Sequence, residues 1–243
     1  RKDALDGLAI ESSQDLTRFA SVPSNIQLEN VAALEVLRVK IEGIPFTNLQ
    51  LNGGRQTLNG QVLTVKKEAL TDLTPELRVE NLEALEKIFL KPGPFIQSDH
   101  QKIRDLVRDI LKNDPEADPL TRAEKLLNWV NTHIEKRPVL SLPDALSTLE
   151  NKVGDCNEHA VLLAALGRAA GIPTRIEAGL VYLKDRFYYH AWNLMYLGQW
   201  VTVDPVFGQL PADVSHLRFT TGSPERQLDI MGIIGKIKLT VLN

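Results

Sequence analysis

One cysteine, Cys156, stands in 243 residues. That excludes an intrachain disulfide framework and leaves the redox compartment open. No stretch approaches the roughly 20 consecutive apolar residues of a membrane span, so no transmembrane segment is expected in this chain. The 28 lysines and arginines nearly balance the 31 aspartates and glutamates, for a net charge of -3. Without a basic block, nucleic acid is not expected as the main partner. Paired cysteines and a His-Glu-x-x-His spacing are missing, which argues against a metal centre. Repeats and low-complexity tracts are absent as well. Arg1 in place of methionine allows for the removal of a leader, anchor or larger upstream region, so targeting is not readable from these residues.

What is present is 43% hydrophobic content, enough for one large core or two small ones. Residues 1–30 read as polar and irregular, with a short helix near Ser13 to Phe19. Leu37, Val39 and Ile41 alternate with Arg38 and Lys40, the period of a half-buried strand. Phe46, Leu49 and Leu51 suggest a second strand before the turn Asn52-Gly53-Gly54. Asn59-Gly60 signals a hairpin between Gln56–Leu58 and Gln61–Val65. A helix is expected over Asn81 to Leu90. The linker Lys91-Pro92-Gly93-Pro94 then divides a β-rich module (1–92) from the remainder (93–243).

Beyond that linker the pattern turns helical. Ile103, Leu106, Val107, Ile110 and Leu111 form one stripe, with Ser98 or Asp99 as cap. Asp118-Pro119 opens the next helix, and a short one is expected from Pro143 to about Glu150. The stretch Gly154-Asp155-Cys156-Asn157-Glu158-His159-Ala160 then leads into an almost wholly apolar run that ends at Gly171-Ile172-Pro173. This reads as a buried helix with Asp155 as N-cap and Glu158 closing a capping box. Cys156 would be its first residue, where unpaired N–H groups and the helix dipole favour a thiolate. Strands are expected over Thr174 to Leu183, Phe187 to Leu197 and Trp200 to Asp204.

A thiol nucleophile needs a base, and the base needs a group to orient it. His190 and Asp204 follow on adjacent strands, in the order Cys, His, Asp. The segments GDCNEHAVLLAALGRAAGIPTR (154–175) and YHAWNLMYLGQWVTVDPVFGQ (189–209), and more weakly Pro211 to Leu217, resemble the transglutaminase-like superfamily of papain-like cysteine enzymes. The resemblance implies an α+β fold with a nucleophile helix packed on an antiparallel sheet, behind the small β-rich module. It implies Cys156 as nucleophile, His190 as general base and then acid, and Asp204 as the group that holds the imidazolium. It implies acyl transfer on amide bonds of a protein or peptide substrate through a thioester. No cofactor is called for, and a bacterial cell-envelope setting is expected. Hydrolysis is favoured over cross-linking, because excluding water takes a specially closed site.

Register sets a condition on this triad. A two-residue hairpin at Gly198-Gln199 would turn His190 and Asp204 to opposite faces. A three-residue connection or a bulge, for example with Tyr196 opposite Trp200, brings them to one face with Trp192 opposite Asp204. The odd connection is therefore expected.

Other readings stand beside this one. Cys156 alone would be a buried structural cysteine, and Asp204 before Pro205 a turn residue. Glu158 and His159 read as capping and supporting residues. Cys156, His159, His190 and Asp204 could be drawn as a zinc site, though not with a recognised spacing. Trp192, Tyr188 and Tyr189 read as cleft or core, and Gln209 as local architecture near the site. His100, His133 and His216 find no convergent partners and read as surface or structural. The cysteine-enzyme fold could also serve as an inactive protein-binding module. The second oxyanion donor is not assigned.

Overall fold

A computed structural model describes residues 21–70, 88–139, 142–222, 230 and 232–242. The expected helix near Ser13 and most of the expected helix over Asn81 to Leu90 lie outside these residues. The fold is α+β, as the sequence implied.

Four helices carry local signals that the sequence displays. α1 (Gln101–Leu111) buries Ile103, Val107 and Leu111. Its cap is His100, whose ring accepts from the Lys102 N–H, and not Ser98 or Asp99. α2 (Pro119–His133) starts on Asp118, which accepts from Leu120 and Thr121, with proline at the first helical position. α3 (Ala145–Asn151) is capped by Asp144. α4 (Cys156–Ala169) has both halves of its capping box. Asp155 accepts from the Asn157 N–H at 2.8 Å, and Glu158 accepts from the Asp155 N–H at 3.0 Å. The chain turns out of α4 through Gly171 at φ +78°, where a side chain would be strained.

Two antiparallel sheets accompany these helices among the described residues. The smaller runs in the order β11-β2-β4-β3, from β2 (Val36–Glu42), β3 (Gln56–Asn59), β4 (Val62–Lys66) and β11 (Lys238–Leu242). The β3–β4 hairpin turns through Gly60-Gln61, one residue later than the Asn59-Gly60 signal, since Asn59 pairs with Val62. No strand forms over Phe46 to Leu51. Leu51 is buried, but it sits in irregular chain whose Gln50 N–H reaches Phe219 of the other sheet at 2.8 Å.

The larger sheet contains β1 (Ser21–Pro23), β7 (Thr174–Leu183), β8 (Arg186–Tyr196), β9 (Trp200–Val203) and β10 (His216–Thr221). β8 is its centre, with β7 along one edge and β1 and β9 sharing the other. A short parallel pair, β5 (Glu135–Lys136) with β6 (Val153–Gly154), leads directly into α4. The sheets exchange their terminal strands: β1 joins the larger one and β11 the smaller. A cut at residue 92/93 would remove one strand from each.

α4 is the axis of the core. Ala160, Val161 and Ala164 share a buried cluster with Ile176, Ala178, Leu180 and Ala191 of the larger sheet and Val39, Ile41 and Leu63 of the smaller. On its other side, Leu162, Leu163 and Leu166 pack with Ile103, Leu126, Val130, Met195 and Val203. A helix apolar all round is buried all round, as the 160–170 run implied. This fixes the position of its first residue.

Candidate active site

β8 and β9 are joined by Leu197-Gly198-Gln199, and Tyr196 stands opposite Trp200. This is the odd connection that the register condition demanded. Asn193 pairs with Val203, so the next residues away from the connection, Trp192 and Asp204, face each other. His190 lies two residues away on the same face. Its Nε2–H donates to Asp204 Oδ2 at 2.7 Å.

The Asp204 carboxylate is held from several directions. Oδ1 accepts from the N–H groups of Val206 (2.7 Å) and Phe207 (3.0 Å), while Oδ2 also accepts from His216 Nε2 at 2.8 Å. Burial would raise its pKa, but the charge on His190 and the hydrogen bonds from His190 and His216 hold it far below the usual carboxylate range. The Asp204 and Gln209 backbones bond each other in both directions, at 2.9 and 3.1 Å. Gln209 Nε2 donates to Asp213 Oδ2 at 2.9 Å. Its expected role as local architecture therefore holds.

The sulfur approaches from the helix start. Alternation along β8 turns Tyr189, Ala191 and Asn193 toward α4. The Tyr189 hydroxyl donates to Asn157 Oδ1 at 2.9 Å, and Asn193 Nδ2 donates to the Ala160 carbonyl at 2.9 Å. His190 and Trp192 project from the opposite face. On the edge away from β7, β1 covers Arg186 to Tyr188 and β9 covers Asn193 to Tyr196. The start of α4 meets β8 between these two covered stretches. Here the Ala191 N–H favours the charged form of the Cys156 sulfur. Phe207 stacks on the His190 ring, with centroids 5.0 Å apart and planes 18° from parallel, and covers it from solvent.

Cys156 is half-buried. Burial pushes its thiol pKa well up, and the carboxylates of Asp155, Asp204 and Glu158 push the same way, against the Ala191 N–H. This differs from the thiolate expected at a helix start. The dipole favours an anion by only a fraction of a kcal/mol to about 1 kcal/mol, and desolvation with three nearby carboxylates outweighs it. Glu158 is itself pushed up to about 7, by burial and then by Asp155.

His159 Nδ1–H donates to the Asp155 carbonyl at 2.7 Å, so with Glu158 it supports the helix start as expected. Trp192 is core: it is 1% exposed, and its indole N–H donates to Glu177 at 3.1 Å. His100 caps α1, and His133 stacks on Trp129. His216 is not without partners. It is fully buried, joined to Asp204 and within 3.4 Å of Asp213. Among the described residues, His190, Asp204 and His216 bring ligand-type atoms within 4.8 Å of one another, a group that does not contain the Cys156 and His159 of the zinc alternative.

The family model for the transglutaminase-like superfamily matches residues 104–205. That segment is a transglutaminase-like core. It holds most of α1, all of α2 to α4 and β7 to β9, and Cys156, His190 and Asp204. A crystal structure of a candidate cysteine protease from Cytophaga hutchinsonii superposes with a TM-score of 0.51 at 15% identity, covering 86% of each chain, and shows the shared fold. The periplasmic domain of TgpA from Pseudomonas aeruginosa gives a TM-score of 0.46 at 17% identity, covering 77% of this chain and 75% of that one. A search of curated protein sequences found no match. No helix among the described residues is long and apolar enough to cross a membrane.

Proposed function

We propose that this transglutaminase-like core catalyses thiol-dependent acyl transfer on amide bonds of a protein or peptide, with Cys156, His190 and Asp204 as the triad. The observation that carries the reading is the 2.7 Å His190–Asp204 hydrogen bond on the strand whose neighbouring Tyr189 bonds the start of the cysteine helix at Asn157. With Nε2 tied to Asp204, the Nδ1 of His190 is the nitrogen left to exchange a proton with sulfur. Because burial favours the neutral thiol, the nucleophile forms by proton transfer to His190 as the carbonyl is attacked, not as a standing free thiolate. Asp204 holds the imidazolium that results. The backbone N–H of Cys156, at the first position of α4, is an oxyanion donor. His190 returns the proton to the departing amine and then activates water, or an incoming amine, to open the thioester. Hydrolysis is the favoured outcome.

The burial of the thiol favours a second reading, a core of this fold that binds protein without turnover. Mass-spectrometric profiling with an electrophilic amide or acyl probe separates the two. Labelling at Cys156 that is lost in Cys156→Ala and His190→Ala supports the enzyme. A probe-inert native protein supports the binding module, and labelling unchanged in Cys156→Ala removes the nucleophile assignment.

A further inference from the structure

His216 lies in the strand after the site loop, outside the three residues of the proposed triad. Each of its ring nitrogens meets only acceptors. Nε2 lies 2.8 Å from Asp204 Oδ2; Nδ1 lies 3.2 Å from the Asp213 carbonyl and 3.4 Å from Asp213 Oδ1. A neutral imidazole has one N–H and would leave one of these nitrogens facing an acceptor with a lone pair. Only the doubly protonated ring satisfies both sides. The ring is shut from water, so no solvent can substitute for a missing donor.

We propose that His216 is a buried imidazolium that acts as a positioning residue for the triad, clamping Asp204 Oδ2 and tempering the charge that His190 feels. The inference rests on the proposed triad. Asp204 then has four donors for its two oxygens, so the carboxylate cannot swing away from His190. The second effect is electrostatic. A carboxylate shared with a neighbouring cation holds the His190 proton less tightly than a lone carboxylate would, and His190 must give that proton back to the departing amine. The His190 and His216 rings are 5.8 Å apart, close enough for this influence. The other charged groups facing His216 are Asp213 at its second nitrogen, and Arg218, Arg175, Glu177, Arg55 and Glu68 around the small cavity behind it. Burial alone would lower its pKa, but the bonds to Asp204 and Asp213 raise it on balance, in line with the donor geometry.

The test is nitrogen-15 NMR of the histidine rings in the full chain, with titrations of wild type, His216→Gln and His216→Phe and thermal unfolding beside each. The expected wild-type signature at pH 7 is an imidazolium at His216. In His216→Gln, which keeps an N–H donor but carries no charge, the pH profile of Cys156 alkylation is expected to move to higher pH. At pH 7, alkylation of Cys156 by iodoacetamide is expected to fall on the order of tenfold in His216→Phe and to recover to within about threefold in His216→Gln. A neutral His216 ring in the wild type overturns the proposal even if neither variant folds. So does an unmoved alkylation profile in folded His216→Gln. Alkylation identical in wild type and His190→Ala would remove the triad and the positioning role with it, while the NMR spectra still decide the charge on His216.

Discussion

Tyr196 stands opposite Trp200 across the β8–β9 connection. That one pairing settles whether an imidazole and a carboxylate fourteen residues apart meet. Side chains in a strand alternate, so shifting β9 by a single residue would turn Asp204 to the α4 face and leave His190 without its partner.

Deleting Gln199 should impose a two-residue connection. The expected result is loss of the His190–Asp204 bond and at least a tenfold fall in Cys156 labelling by an electrophilic probe. Gly198→Ala keeps the count of residues, and it strains a position at φ +102° by about 1 kcal/mol. Its labelling should stay within about twofold of wild type while its melting temperature drops. Equal labelling in both variants would show that register does not govern the site.

Gly154→Ala probes the approach to the sulfur. A Cβ at Gly154 would lie 2.2 Å from Glu158 Cβ, so the start of α4 must move to admit it. We expect about 1–3 kcal/mol of destabilisation in urea unfolding, together with reduced labelling of Cys156. Unchanged labelling at wild-type stability would mean that the helix start is not held as tightly as described.

Stability should depend on pH from both sides. Asp204 and Asp213 are held below the usual carboxylate range in the fold, against burial, chiefly by His190 and His216 for Asp204 and by His216 for Asp213. Their contribution is therefore present above the unfolded carboxylate pKa of about 3.9 and is lost as pH falls through the folded values. His216 is shifted up on balance, so its contribution is complete below an unfolded pKa of about 6.5 and is lost as pH rises through the folded value. Urea midpoints should thus peak at mildly acidic pH. Asp204→Asn should be less stable at the peak and show a shallower decline on the acid side. A parallel acid decline in that variant would contradict the assignment.

Arg218→Met tests the charged layer between the sheets. Arg218 is buried, donates to the carbonyls of Gln50 and Asn52 at 2.9 and 2.8 Å, and lies 3.4 Å from Glu177. Removing it leaves the carbonyls of Gln50 and Asn52 without that donor and the buried Glu177 with Arg175 at 3.6 Å as its remaining cation, at an expected cost of about 1–3 kcal/mol. Arg108→Ala, which breaks an exposed pair with Asp105, should cost less than about 1 kcal/mol. Similar costs for the two would refute the distinction.

Local information in the sequence determined the elements that depend on neighbours along the chain. The Asp155–Glu158 capping box, the proline after Asp118 and the apolar run of α4 each act within a few residues, and each forms as read. The parity of the β8–β9 connection was also legible, because strand alternation permits only one arrangement that joins His190 to Asp204. Interactions across the chain were not. His216 converges on Asp204 only because β10 pairs with β7, which no local pattern near Pro211 to Leu217 encodes. The thiol of Cys156 shows the same division. Its place at a helix start is a property of the sequence, whereas its protonation is decided by the desolvation and the carboxylates that packing brings around it.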